Sequence, residues 1–179
     1  MRACLDACVL FPTVLREILL GVAARGAFEP LWSDRILEEW ARATIKLGPE
    51  AEAQARGEVA LARANFPKAC VTPRAGDMAR LHLPDENDIH VLAAAIAGSA
   101  DVIVTLNTKD FPRQTLAFEG VGREVPDAFL MGLWMEQSEM IDAAVHEVHR
   151  AAQKMMGEEI ALRALLKRAR LPRLGKALA

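Results

Sequence analysis

The sequence lacks the features that mark secreted, membrane-spanning or disulfide-rich proteins. It has no tyrosine and only three cysteines in 179 residues, and the odd number leaves no complete disulfide framework. Cys4 and Cys8 share one apolar segment, where cysteine usually behaves as a small core residue. No apolar run approaches the roughly 20 residues that cross a bilayer. The apolar stretch at the start of the sequence is too short for the hydrophobic region of a signal peptide. We expect no membrane contact and a reducing, cytoplasmic setting.

Several motifs of common enzyme classes are also absent. There is no HExxH, no CxxC and no GxxxxGK[ST], so the sequence supports neither a zinc protease nor a P-loop enzyme. The composition, 52% hydrophobic and 26% charged residues, suits a soluble α/β protein and argues against disorder. The length allows one domain with a sizeable core and a small addition.

The charge is distributed unevenly. From residue 161 onward there are six basic residues and no acid, whereas the first 160 residues hold 16 bases and 24 acids. An acidic body with a basic tail raises the question of an anionic partner, or of a solvated helix face. The basic positions considered for RNA contact are Arg163, Lys167, Arg168 and Arg170.

Hydrophobic patterns predict alternating strands and helices over about the first 125 residues. The predicted strands cover residues 3–10, 28–32, 69–71, 101–105 and a weaker run at 118–125. One predicted helix starts at Pro12, a second follows Ser33 as N-cap, and a third runs from about Pro49 to Asn65. Others cover IHVLAAAIA, the segment from Pro126, an amphipathic stretch after residue 137, and a basic helix to about residue 171. This order predicts an α/β fold with a parallel sheet and helices on both faces.

Acidic residues occur where the strands and helices of such a sheet would meet. Asp6 interrupts the first strand, Asp88 starts the helix that leads into DVIVT, and Asp110 follows that strand. Glu38 and Glu39 lie in one helix, and only one of the two can point towards the sheet. Each acid also has an explanation that involves no metal. Asp6 could accept hydrogen bonds from loop amides, Asp88 could be stabilised by the helix dipole, and Asp110 could cap a turn. Glu38 and Glu39 could simply be solvated.

Together the acids predict a metal site at the carboxyl edge of the sheet, where active sites of parallel α/β folds lie. Carboxylates are hard oxygen ligands that suit Mg²⁺ or Mn²⁺ better than zinc. Such ions can activate water for attack on phosphorus and stabilise the leaving oxygen.

The segments LDACVLFP, WSDRILEEW, PDENDIHVLAAAIAGSADVIVTLNTKDFP and VPDAFL resemble the PIN-domain family, in particular its VapC-like bacterial branch, over residues 3 to about 135. The resemblance implies a three-layer α/β/α fold with four or five parallel strands in residues 1–135, followed by a C-terminal helical extension in residues 136–179. It also implies Mg²⁺- or Mn²⁺-dependent endonucleolytic cleavage of single-stranded RNA.

Carried over by position, the resemblance places the catalytic acids at Asp6, Glu39, Asp88 and Asp110. Asp6, Asp88 and Asp110 are the expected metal ligands, with Glu39 binding metal or helping to activate water. Supporting positions fall on Thr105, Asn107 and Asp85. Many family members carry an aspartate where this chain has Asn107, so one firm and one weaker ion are expected.

The resemblance also implies RNA as a partner, a homodimer, and an antitoxin protein if the chain is the toxin of a toxin–antitoxin pair. Two other classes stay open at this point. One is a PIN-fold protein-binding module without catalysis. The other is a phosphatase similar to haloacid dehalogenases with Asp6 as nucleophile, although Cys8 stands where that family's DxDx[TV] motif has its second aspartate.

Overall fold

A four-stranded parallel sheet organises residues 2–124 in the computed structural model, which describes all 179 residues. The strands are β1 (Arg2–Leu5), β2 (Glu29–Leu31), β3 (Val102–Val104) and β4 (Gly122–Glu124), in the order β2-β1-β3-β4. Leu5 pairs with Val104, and Val104 pairs with Glu124. The predicted α/β class is confirmed, with the smaller of the two predicted strand numbers.

Eleven helices accompany the sheet, consistent with the three-layer α/β/α fold. They are α1 (Ala7–Leu10), α2 (Thr13–Ala24), α3 (Asp34–Ala43), α4 (Pro49–Asn65), α5 (Ala75–Arg80), α6 (Ile89–Ala97), α7 (Arg113–Phe118), α8 (Pro126–Glu136), α9 (Ser138–Met156), α10 (Leu162–Arg168) and α11 (Pro172–Ala177). Two short 3₁₀ helices cover Ile45–Leu47 and Glu86–Asp88. None of the helices combines the length and the apolar character that a bilayer span requires.

The central strands are buried because, apart from the exposed Arg2 at the start of β1, their residues are apolar. Ala3, Cys4 and Leu5 have no exposed surface, and Ile103 and Val104 have none either. Strands covered on both faces have such continuous apolar runs. Strand β4 lies at the sheet edge and its three residues are partly or fully exposed.

The residues group into two compact units. The first unit comprises Met1–Phe11 and Glu29–Glu124 and contains the whole sheet; the second comprises Pro12–Phe28 and Val125–Ala179. In the second unit the Asp127 carboxylate accepts the backbone N–H groups of Arg173 (3.0 Å) and Leu174 (3.1 Å), which fixes the start of α11. The predicted division into residues 1–135 and a helical extension over 136–179 stays a prediction.

Local signals predicted several helix ends correctly. The Ser33 hydroxyl accepts the N–H of Ile36 at 3.3 Å, so Ser33 is the N-cap of α3 as predicted. Helix α4 has the predicted bounds. Gly157 ends α9 with a φ of 70°, a left-handed conformation that glycine adopts without strain.

Three predicted elements were wrong in extent. The strand predicted over residues 3–10 ends at Leu5, and residues 7–10 form α1 instead. In a short run that is apolar throughout, hydrophobic periodicity does not distinguish a strand from a helix, which explains the error. The strand predicted at 69–71 is a single bridge between Trp32 and Cys70, and Pro73 follows it closely. The last basic helix ends at Arg168 rather than at about residue 171, because Arg170 has a φ of 62°. Pro172 then begins α11, which the sequence did not predict.

Candidate metal-binding site

Strands β1 and β3 are neighbours in the sheet and end at the same edge. Asp6 directly follows β1, and its backbone N–H donates to the carbonyl of Val104 at 3.2 Å. Thr105 directly follows β3. Parallel pairing therefore brings these two polar residues side by side although 99 positions separate them.

The Asp6 side chain is 6% exposed and is held by two donors. The Thr105 hydroxyl donates to Asp6 Oδ2 at 2.6 Å, and the Cys8 thiol donates to the same oxygen at 3.1 Å. Asp6 is the N-cap of α1, yet its side chain makes no capping hydrogen bond. The explanation that Asp6 binds loop amides is therefore wrong.

A chain of hydrogen bonds connects Asp6 to Asp88. The Thr105 hydroxyl accepts the backbone N–H of Asn107 at 2.9 Å, and the Asn107 side-chain amide donates to Asp88 Oδ2 at 3.0 Å. Asp88 precedes α6 at the N-cap position but makes no capping hydrogen bond with its side chain. Thr105 and Asn107 thus join the two aspartates that come from opposite halves of the first unit.

Asp85, Asp88 and Asp110 form the tightest acidic group. One carboxylate oxygen from each lies within 4.8 Å of the others, and Asp88 and Asp110 are partly buried. Asp85 accepts the backbone N–H of Asn87 at 2.9 Å, which fixes the turn before α6. Oxygen ligands converging at this separation can share a divalent cation.

The acidic group carries uncompensated negative charge. Burial, followed by the charges of Asp6, Asp85 and Asp110, raises the pKa of Asp88 to about 6, and His90 offsets part of the effect. No lysine or arginine forms an ion pair with any of the four aspartates. The donor set and its charge fit a divalent cation such as Mg²⁺ or Mn²⁺.

The loop that carries Asn107 and Asp110 is anchored by Arg123 of β4. One guanidinium nitrogen donates to the carbonyl of Thr108 and to that of Phe111, the latter at 2.9 Å. The Phe111 side chain is fully buried below the loop. Both contacts restrict the position from which Asp110 approaches Asp88.

Glu39 has different partners from the aspartates. His90 Nε2 lies 2.9 Å from Glu39 Oε1, and Arg35 Nε donates to the same oxygen at 3.2 Å. Burial raises the pKa of Glu39, but His90 and Arg35 outweigh it, so the net shift is downward. His90 is buried and neither ring nitrogen makes a well-oriented hydrogen bond, so the Glu39 contact is an ion pair when the imidazole is protonated. Of the four predicted catalytic acids, Asp88 and Asp110 lie within ligand distance of each other and of Asp85, which the sequence places only in a supporting role. Asp6 stands outside this group, although its charge contributes to the raised pKa of Asp88, and Glu39 pairs with His90.

A model of the PIN domain matches residues 2–109, more than half of the chain. The chain belongs to the PIN-domain family. Comparisons with curated proteins and with solved structures gave no match. PIN domains are in general metal-dependent nucleases. The matched range includes Asp6, Asp85 and Asp88 and ends one residue before Asp110.

Sequence reasoning missed three residues of this PIN-domain site. Cys8 was assigned to the core, and neither His90 nor Arg123 was considered. Two of them left a signal in the sequence: Cys8 stands two positions after the strand-end acid, and His90 is the one polar residue in the apolar helix α6. Arg123 left none, because only the fold brings β4 beside the loop.

The basic residues of the tail lie in the second unit. Arg163, Lys167 and Arg168 belong to α10, and Arg170 follows it. All four are exposed and none forms an ion pair. Exposed cations without acidic partners are free to meet an anionic ligand, or to remain solvated.

Proposed function

We propose that this PIN-domain protein is an Mg²⁺- or Mn²⁺-dependent endoribonuclease that cleaves single-stranded RNA. The observation that carries the proposal is the group of aspartates at the carboxyl edge of the sheet, which has no basic partner. Carboxylates held together at this cost are typical of sites that bind a cation. The bound ion would supply positive charge to the scissile phosphate and to the oxygen that leaves.

Each acid has a distinct role in the proposal. Asp88 and Asp110 provide ligand oxygens, and Asp6 provides a third from the neighbouring strand end. Glu39 stays ionised at neutral pH, since its pKa is lowered, and an ionised carboxylate can accept the proton of an attacking water. We place Glu39 beside the ligands as this acceptor.

Asn107 replaces the acid that many relatives carry at its position. Its amide nitrogen is committed to Asp88, so it orients that carboxylate. A carboxylate oxygen of Asp85 lies within 4.8 Å of carboxylate oxygens of Asp88 and Asp110. We therefore propose one firm ion, held by Asp6, Asp88 and Asp110 with Asp85 in support, and one weaker ion.

The test is cleavage of an unstructured single-stranded RNA by purified protein with Mn²⁺, with Mg²⁺ and with EDTA. Cleavage should require the metal, and Asp6→Asn should abolish it while thermal unfolding shows a folded protein. Asp34→Asn is the matched control, because Asp34 is an exposed acid of the same unit that pairs with Arg63. Cleavage retained by Asp6→Asn would remove Asp6 from the mechanism; absence of any metal-dependent cleavage would favour a binding module without catalysis.

We also propose that the α10 cations contact RNA phosphates. An acidic site repels RNA, so binding needs positive charge elsewhere on the protein. Replacing Arg163, Lys167, Arg168 and Arg170 by glutamine should weaken RNA binding uniformly across sequences. It should also reduce the slope of log affinity against log salt by up to about 0.7 for each phosphate that is no longer neutralised. An unchanged slope would show a solvated helix face.

Further partners are proposals at the level of the family resemblance: a homodimer, and an antitoxin protein if the chain acts as a toxin. A mass measurement by light scattering after size exclusion tests the dimer. Expression of the chain alone in a bacterial host tests toxicity, with Asp6→Asn as the control.

A further inference from the structure

We propose that Cys8 is a positioning residue that orients the Asp6 carboxylate for metal binding. The inference rests on the proposed metal-dependent function and adds to it a role for a thiol at the site. The role follows from where the sulfur lies, between the acid after β1 and the loop after β3.

The two donors to Asp6 converge on a single oxygen. The Cys8 thiol and the Thr105 hydroxyl both donate to Oδ2, at 3.1 Å and 2.6 Å. No donor in the structure reaches Oδ1. A carboxylate held through one oxygen in this way cannot rotate freely, and it presents the other oxygen to an incoming cation. Hydrogen-bonded supports of this kind orient metal ligands in proteins.

The sulfur is itself fixed from the opposite side. The backbone N–H of Leu106 donates to Cys8 Sγ at 3.2 Å. Because the sulfur accepts this hydrogen bond, its own proton is left for Asp6. A thiol is ordinarily protonated at neutral pH, so the sulfur has a proton to donate to Asp6.

Cys8 therefore ties three groups together. Its sulfur donates to Asp6, lies 3.4 Å from Thr105 Oγ1, and accepts the backbone N–H of Leu106. Loss of the sulfur would release one donor of Asp6 and one anchor of the segment that continues to Asn107. The ion-binding oxygen should then sample more orientations.

The chain supplies a close control for this contact. Cys70 also donates its thiol to an aspartate, Asp34 Oδ1, at 3.2 Å. That pair is exposed and is neutralised by Arg63, whose guanidinium donates to the same oxygen at 2.6 Å. Removing the Cys70 thiol breaks a hydrogen bond of the same chemistry outside the acidic group.

The experiment measures Mn²⁺ binding to the full chain by titration calorimetry, checked by the electron paramagnetic resonance of free Mn²⁺. Cys8→Ala should weaken binding by roughly 10- to 100-fold. Cys8→Ser, which restores a donor, should recover most of the affinity, and Cys70→Ala should leave it unchanged. Thermal unfolding without metal accompanies each variant, and Cys8→Val, which fills the space of the sulfur without supplying a donor, replaces the alanine variant if that one does not fold.

Three results would overturn the inference. If Cys8→Ala binds Mn²⁺ like the wild type while Asp6→Asn does not, Cys8 has no positioning role and the proposed function survives. If serine and alanine weaken binding equally, packing rather than the hydrogen bond matters. If the wild type itself binds no Mn²⁺, the inference and the metal-dependent function fail together.

Discussion

Two groups of acids in the first unit have opposite surroundings. On the α3–α4 face, Asp34 lies 2.6 Å from Arg63, and Glu38 lies 2.7 Å from Arg42 and 2.9 Å from Arg56. Hydrogen bonds from Arg56 and Arg42 lower the pKa of Glu38 to about 2. These acids are neutralised by the protein itself.

The acids at the carboxyl edge of the sheet have no such partners. Asp88 stands beside Asp6, Asp85 and Asp110, and its pKa is raised to about 6. The chain holds 22 basic residues, yet none of them pairs with these four aspartates. The difference shows that local charge balance separates a surface ion-pair network from a group of acids without basic partners. We call the first group the paired acids and the second the unpaired acids.

The largest expected effect comes from removing an unpaired acid. Asp88→Asn should abolish metal-dependent RNA cleavage, because it removes a ligand oxygen's charge from the centre of the group. Asp34→Asn, from the paired acids, should leave cleavage rates close to those of the wild type. An equal loss of cleavage activity in both variants, measured with the same single-stranded RNA, would show that the two groups of acids do not differ in function.

The second effect is a pH dependence of metal affinity. Protons compete with the cation for Asp88, so Mn²⁺ affinity should be constant above pH 6 and fall by up to about tenfold per pH unit below it. Calorimetry between pH 5 and pH 8 measures this. An affinity that stays flat down to pH 5 would show that Asp88 is not a ligand.

A third, smaller effect concerns the support of Asp6. Thr105 has no exposed surface, and its hydroxyl donates a short hydrogen bond of 2.6 Å to Asp6. Thr105→Val keeps the shape but removes this charge-assisted bond, which should cost about 1.5–3 kcal/mol in the free energy of unfolding. Chemical denaturation measures the loss, and Thr44→Val, whose buried hydroxyl donates to the Ala41 carbonyl at 2.6 Å, is the control for a neutral acceptor. A greater loss at Thr44 would contradict the role given to Thr105.

The smallest effect concerns stability without metal. Here removing an unpaired acid and removing a paired acid should change the free energy of unfolding in opposite directions. The folded-state pKa of Asp88 lies above its ordinary value of 3.8, so its charge destabilises the fold above pH 6, and this destabilisation disappears as the pH falls towards 4. At pH 7 in EDTA, Asp88→Asn should therefore raise Tm by a few degrees at most.

The paired acids supply the opposite sign. The lowered pKa of Asp34 stabilises the fold at pH 7, and this contribution is lost as the pH falls below the ordinary value of 3.8. Asp34→Asn should thus leave Tm at pH 7 unchanged or slightly lower, since an exposed ion pair contributes little. A higher Tm in Asp34→Asn than in Asp88→Asn would contradict the comparison.

The sequence predicted the parts of the fold that depend on local pattern. Three β-branched residues in a row identified β3, and Ser33 and Pro49 identified helix starts. The strand-end position of Asp6 and the helix-start position of Asp88 followed from those elements. The predicted strand over residues 3–10 failed because an apolar run of this length suits a strand followed by a buried helical turn equally well.

The supporting contacts of the site could not be predicted from pattern. The bonds from Thr105 to Asp6 and from Leu106 to Cys8 join residues 99 and 98 positions apart. Arg123 reaches the Asp110 loop only because β4 pairs with β3. Side-chain direction at such distances is set by the packed sheet. The family resemblance therefore indicated the positions of Thr105 and Asn107, but the sequence did not reveal their contacts or the roles of Cys8 and Arg123.

The most direct test of the central claim is the anomalous scattering of crystals soaked in Mn²⁺. The account predicts a peak about 2.1 Å from carboxylate oxygens of Asp88 and Asp110, and no peak among the paired acids Asp34 and Glu38. A well-diffracting, fully soaked crystal with no peak among the unpaired acids, or with its strongest peak on the α3–α4 face, would contradict the account.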